Sequence, residues 1–115
     1  MLNRTTHILI LTLVFTILLQ AQQSSEVESK VRLIADSILA KTTFSFHDIH
    51  NGDFYNSLNN VPDSARLVLD SPYNDWRYWN GVLNIAMMEL SNVLHEPRYK
   101  NFAKANVQFC FDSAP

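Results

Sequence analysis

The stretch Ser71–Leu94, SPYNDWRYWNGVLNIAMMELSNVL, constrains the fold more than any other. An aromatic, polar opening runs directly into a segment of helical periodicity. Tyr73, Trp76, Tyr78 and Trp79 place both tryptophans and two of the four tyrosines within seven residues. Val82, Ile85, Ala86, Met87, Leu90, Val93 and Leu94 then recur at spacings of three and four. This predicts an amphipathic helix from Asp75–Arg77 to about His95, with Asp75 as its cap. Gly81 in its first turns costs about 1 kcal/mol against alanine, which a closely approaching backbone or ligand would justify. Glu96-Pro97 ends this helix and restarts the chain, because proline suits a first helical turn. Tyr99, Phe102, Ala103, Asn106, Val107 and Cys110 repeat at helical spacing to about Phe111–Asp112. So short a connection demands an antiparallel αα-hairpin.

Ahead of this hairpin the chain opens with a targeting segment. Arg4 supplies a positive start, Ile8–Leu19 is a twelve-residue apolar run broken only by Thr12 and Thr16, and Ala21 offers a small residue for cleavage. Charge, short apolar core and small residue are the order of a secretory signal peptide. The run falls short of the roughly 20 apolar residues that span a bilayer comfortably. Residues 1–21 therefore read as a signal peptide, an uncleaved anchor being the competing reading, and residues 22–115 as a secreted or periplasmic chain with no stable membrane insertion after signal removal. Removing the segment takes away Arg4 and leaves eight Lys/Arg against eleven Asp/Glu. Such a balance gives no electrostatic basis for nucleic-acid binding. The chain has one cysteine, Cys110, so an internal disulfide and a cysteine-built zinc site are both excluded.

Between the signal and the hairpin, Glu26–Lys41 reads as a further amphipathic helix. Ser24 or Ser25 would cap it, Glu26 and Glu28 would complement its dipole, and Val27, Val31, Ile34, Ala35, Ile38 and Leu39 would form its apolar stripe. From Thr42 to Asn74 the period is lost. Thr42–Phe46 alternates briefly, as a short extended piece would. Asn51-Gly52, Pro62-Asp63 and Ser71-Pro72 mark turns, and a short helix is expected near Ser64–Leu69. Loops of this length inside a compact domain tend to be functional.

Few constellations carry chemistry. His47-x-x-His50 with Asp48 and Asp53 could be drawn as a metal site, but it lies on an expected turn, and a solvated loop is the plainer reading; no metal and no cofactor are expected. No nucleophile elbow is present. Cys110 falls on the core side of its helix and reads as a buried thiol. Asp70 and Asp75 are read as a turn former and a cap rather than as a catalytic pair. The aromatic opening is the stronger signal. Trp76, Tyr78 and Trp79 with Asn74, Asn80 and Arg77 combine ring faces for a pyranose with donors and acceptors for its hydroxyls. A helix N-terminus there would also favour a uronate carboxylate. Ordinary core packing of the same rings is the alternative.

Asn74-Asp75-Trp76-Arg77-Tyr78-Trp79-Asn80-Gly81-Val82-Leu83, followed by Ala86-Met87-Met88-Glu89-Leu90 and by Tyr99-Lys100-Asn101-Phe102-Ala103-Lys104-Ala105, resembles the first barrel hairpin of glycoside hydrolase families 88 and 105, the unsaturated glucuronyl and rhamnogalacturonyl hydrolases. The resemblance extends over Val31–Asp112. It implies an all-α fold, with about three of the twelve helices of an (α/α)6 barrel supplied by this chain. The hairpin helices are apolar around much of their girth, as helices with several neighbours are. The chain is therefore expected to be an N-terminal fragment, ending at Ser113-Ala114-Pro115 without a closing element. The implied reaction is hydration of the vinyl ether of a 4,5-unsaturated uronate by an aspartic acid and water, without metal. The implied partner is an oligosaccharide bearing that uronate, from pectin, rhamnogalacturonan or glycosaminoglycan. Tyr78 matches the tyrosine lining the family's cleft, and Trp76 lies beside it. No catalytic residue is identified in this chain, since the family's aspartates lie on later segments. A non-catalytic helical module binding sugar or protein is the other reading.

Overall fold

The computed structural model describes residues 3–112, with the side chains of Arg4 and Thr5 left aside. Ser113-Ala114-Pro115, where no closing element is expected, and the charged side chain of Arg4 lie outside what is described. The elements in order are helix α1 (Arg4–Lys41), strands β1 (Phe46–Asp48), β2 (Phe54–Tyr55) and β3 (Leu67–Leu69), and helices α2 (Tyr78–Leu94) and α3 (Pro97–Asp112). The described residues fall into two compact units that divide between Ile34 and Ala35.

The first unit is the exposed part of α1. No break separates the apolar run from the helix expected to start at Glu26; Ser25 does not cap, and its hydroxyl donates to Gln22 O instead (3.0 Å). Every residue of the run Ile8–Leu19 is exposed, and α1 is long and apolar enough to cross a membrane, as both a signal sequence and an anchor would be. Two ion pairs one turn apart, Lys30–Glu26 and Arg32–Glu28, each 2.7 Å, lace its polar side. Val27, Val31 and Ile34, expected on a buried stripe, are exposed.

The second unit holds the core. Ala35, Met87, Tyr99, Phe102 and Ala103 are its buried centre, with Ile38, Leu39, Phe44, Leu83, Leu90 and Leu94 packed against it. The end of α1 thus lies against the α2–α3 hairpin. Tyr99, fully buried, donates its hydroxyl proton to Asp36 Oδ1 (2.9 Å), and the Arg98 guanidinium reaches the same carboxylate (2.9 Å). The hairpin turn forms as expected: His95 adopts the left-handed conformation (φ 54°) and its N–H caps Ser91 O. The Ser91 hydroxyl donates to Glu96 O (2.8 Å).

Among the described residues the fold is largely helical, with three helices, but not all-α. The segment expected to be irregular carries a three-stranded antiparallel sheet in the order β2–β1–β3. Phe46 pairs with Tyr55 and Leu69, and Asp48 pairs with Leu67. The reason is burial: Phe46 and Phe44 pack on Phe109 of α3, at ring separations of 5.2 and 5.8 Å. Leu67–Leu69 is therefore a strand, where a short helix was expected, because it closes the ladder on β1. Asn51-Gly52 makes the expected turn, with Gly52 at φ 77° and its N–H donated to Asp48 O (2.8 Å). Phe109, which the periodic set Tyr99–Cys110 does not include, is buried by the same contacts, while Val107 is half-exposed.

Helix α2 follows the expected stripe only in part: Met87 is buried and Leu90 and Leu94 pack against the core, but amides and a hydroxyl share that side. Its buried residues are Asn80, Asn84, Met87 and Ser91, whereas Val82, Ile85, Met88 and Val93 are exposed. Asn84 Oδ1 accepts a hydrogen bond from Asn106 Nδ2 across the hairpin (2.9 Å). Asn80, Asn84 and Ser91 therefore share the covered side of α2 with Met87, Leu83, Leu90 and Leu94, while Val82, Ile85, Met88 and Val93 lie on its exposed side.

Candidate functional site

The segment Ser71–Arg77 crosses from the sheet to α2 without regular structure, and side chains from both directions fix it. Asn106 Nδ2 donates to Tyr73 O (2.9 Å), and the Cys110 thiol donates to Asn74 O (3.3 Å). The buried Asn74 amide donates to Thr43 O, and the Asn80 amide to Pro72 O (3.2 Å). The indole N–H of Trp76 donates to Cys110 O (2.8 Å), so it satisfies one of the carbonyls that the end of α3 leaves open.

That bond fixes the orientation of Trp76. Phe111 meets the indole edge-on at 5.1 Å, and Trp76 remains 60% exposed. Tyr78 and Trp79, in the first turn of α2, touch each other edge-to-face at 5.3 Å and are 76% and 74% exposed. Each such ring carries a large apolar area that water wets at a cost. The rings are therefore on the surface, not in the core. Trp76 and Tyr78 border an open groove of about 380 Å³, whose floor is Gly81, Val82, Asn84 and Ile85 of α2 and Val107 and Cys110 of α3, with Asp75 and Arg77 at its rim. A Cβ on Gly81 would meet nothing within 4 Å. No backbone approaches it within this unit, so internal packing does not explain the glycine.

Asp75 does not cap α2. The cap position is Arg77, in extended conformation and without a side-chain cap. Asp75 instead closes a turn on itself. Its carboxylate accepts from the Arg77 N–H (3.1 Å), from the Arg77 Nε–H and from the Asn80 amide. Partial burial pushes this carboxyl up, but the Arg77 N–H, its guanidinium and Asn80 together outweigh that and hold it below the ordinary carboxylate range. A group so held does not keep the proton a general acid needs. Burial, helped by the Asp75 charge, pushes the Cys110 thiol up, which leaves it inert as a nucleophile.

The histidines do not converge. His47 lies in β1 with Nδ1 3.5 Å from Asp70 Oδ1, and His50 sits with Nδ1 3.9 Å from Asp48 Oδ1. Asp70 is further held by the hydroxyls of Thr43 (2.8 Å) and Ser45 (3.3 Å). Among the described residues no three His, Cys, Asp or Glu side chains gather as metal ligands.

The residues the sequence singles out thus fall in two places. Trp76, Tyr78, Arg77 and Asp75 line one groove, with Trp79 against Tyr78; His47, Asp48, His50 and Asp53 belong to the sheet and its turn. The part of Cys110 and Phe111 in setting Trp76 is not readable from spacing, since 34 residues separate the indole from the carbonyl it meets. No protein-family model, curated protein or solved structure matches this chain.

Proposed function

We propose that the Trp76–Tyr78 face is the saccharide-binding wall of a secreted or periplasmic hydrolase of unsaturated uronides, and that this chain contributes the first three helices of its (α/α)6 barrel. The observation that carries the reading is the set of rings left open at the rim of a groove, one of them held by a bond to α3. Ring faces take the C–H side of a pyranose, and the groove is within the size range of small-ligand sites. The apolar outer side of α2 supports the barrel, since such a face belongs against further helices. The motif from Asn74 to Leu83 supports the uronide, and the apolar start of α1 supports export.

In this reading the chain binds and orients; it does not protonate. Asp75 is spoken for by three donors, so the acid that protonates the vinyl ether comes from elsewhere in the barrel. The test uses the two tryptophans, Trp76 lining the groove and Trp79 in contact with Tyr78. Adding an unsaturated uronyl disaccharide should quench the chain's fluorescence saturably, and Trp76→Ala or Tyr78→Ala should abolish the effect. The ultraviolet absorbance of the double bond should persist with this chain and decay with any longer product of the same reading frame. Absence of saturable quenching overturns the reading. Binding by the longer product with unchanged absorbance favours a non-catalytic sugar binder, which the engaged state of Asp75 also supports.

A further inference from the structure

The charged pair at the groove rim has an arrangement the saccharide reading does not require. Arg77 extends over an exposed rim, its side chain 67% accessible, and its Nε–H meets Asp75. Asp75 is far less accessible and has two further donors, the Arg77 N–H and the Asn80 amide. Removing the guanidinium therefore leaves the Asp75 carboxylate bonded, so the cost of its departure is small. Exposed pairs of this kind are individually weak. An anion on the ring face would offer Arg77 an equivalent partner within reach of its side chain, with two N–H groups in fork geometry.

We propose that Arg77 is a reversible anion latch: it rests on Asp75 when the groove is empty and transfers to the carboxylate of an acidic saccharide when one binds, so that Asp75 sets how strongly the face prefers acidic over neutral sugars. The inference rests on the saccharide reading of the same face. It assigns Arg77 to selectivity and Asp75 to its regulation, neither to catalysis. Asp75 competes with the ligand for one guanidinium, and removing its charge frees Arg77 without touching the rings.

The experiment titrates the full chain with two saturated trimers, one of galacturonic acid and one of galactose, following tryptophan fluorescence at low salt. The wild type should bind the acidic trimer about two- to fivefold more tightly, the size of a surface ion pair. Arg77→Gln should erase that preference by weakening the acidic trimer more than the neutral one; the backbone N–H to Asp75 survives this substitution, so the turn is kept. Asp75→Asn should raise affinity for the acidic trimer alone, by a similar factor, and should do nothing in the Arg77→Gln background. A gain in that background would show simple repulsion by Asp75 and overturn the latch. A retained preference in Arg77→Gln, or an Asp75→Asn loss shared by both trimers, overturns it too. If both trimers bind the wild type and every variant equally, the latch falls and the saccharide wall stands. If neither trimer binds the wild type, the latch falls, while the saccharide reading stands or falls on the unsaturated disaccharide.

Discussion

At the scale of single residues, the structure is held by polar groups whose partners lie far off in sequence. Tyr99 is the clearest case. Its ring is fully buried, and its hydroxyl donates to Asp36 while accepting from Arg98 (2.8 Å). Tyr99→Phe keeps the ring and removes bonds to charged groups, so it should cost about 1.5–3 kcal/mol; urea unfolding of the chain checks this, and a loss below about 0.5 kcal/mol would show that the network adds nothing. Asp48 gives a pH prediction of definite sign. The His50 N–H (2.9 Å) lowers its carboxyl most, burial opposes this, and the Arg66 N–H (3.1 Å) adds to the lowering. With a folded value below 3.8, its contribution is fully present above that pH and is lost as pH falls through the lowered folded value. Asp48→Asn should therefore flatten the acid limb of stability against pH below 3.8, as measured by denaturant midpoints across that range. An unchanged limb would remove Asp48 from the account.

At the scale of elements, α2 and α3 meet through amides. Asn106 donates to Asn84 and to Tyr73 O, while its own Oδ1 is buried without a partner among the described residues. Asn106→Ala alone strands the buried Asn84 oxygen and should cost about 1–3 kcal/mol. Replacing both amides together by leucine should cost clearly less than the two single changes added, because paired removal leaves Asn84 and Asn106 no orphaned partner. Additive losses in thermal melts of the four proteins of the cycle would refute this. The same pair explains what could be read in advance. The hairpin, its turn at Glu96-Pro97 and the end of α3 follow from periodicity and proline. The buried face of α2 follows only in part: Met87, Leu90 and Leu94 of the expected stripe reach the core, whereas Val82, Ile85 and Val93 stay outside and Asn80, Asn84 and Ser91 are inside, because apolar spacing says which residues share a face but not which part of it a neighbour covers. The strands were hidden for a different reason. At two or three residues each, they are too short to leave an alternating signature, and their ladder depends on Phe46 finding Phe109 across 63 positions. Of the site, the clustered rings were legible and their exposure was not. Asp75 reads as a cap in the sequence and forms a turn in the structure, because both uses present the same acidic residue ahead of a helix.

At the scale of the whole chain, the question is what a face like that of α2 does in water. Ile85 and Val93, 64% and 72% exposed, lie on the outward side with Val82, where Val82 and Ile85 also line the groove. Contiguous apolar surface of this kind marks an interaction site more often than scattered single residues do. If the face is open in this chain, putting charge on it is a surface change and should shift stability by no more than about 0.5 kcal/mol. If it were covered, the same change would bury an unpaired charge and cost several times that. Ile85→Glu with Val93→Glu, made in the chain starting at Gln22 so that the apolar run of α1 plays no part, should therefore leave the melting transition nearly in place. The same pair should lower self-association, since a face that water wets at a cost is also the face through which copies adhere. Sedimentation velocity across a concentration series reads the second effect and calorimetry the first. A large drop in melting temperature would mean that α2 is already enclosed, and the argument for missing helical neighbours would go with it.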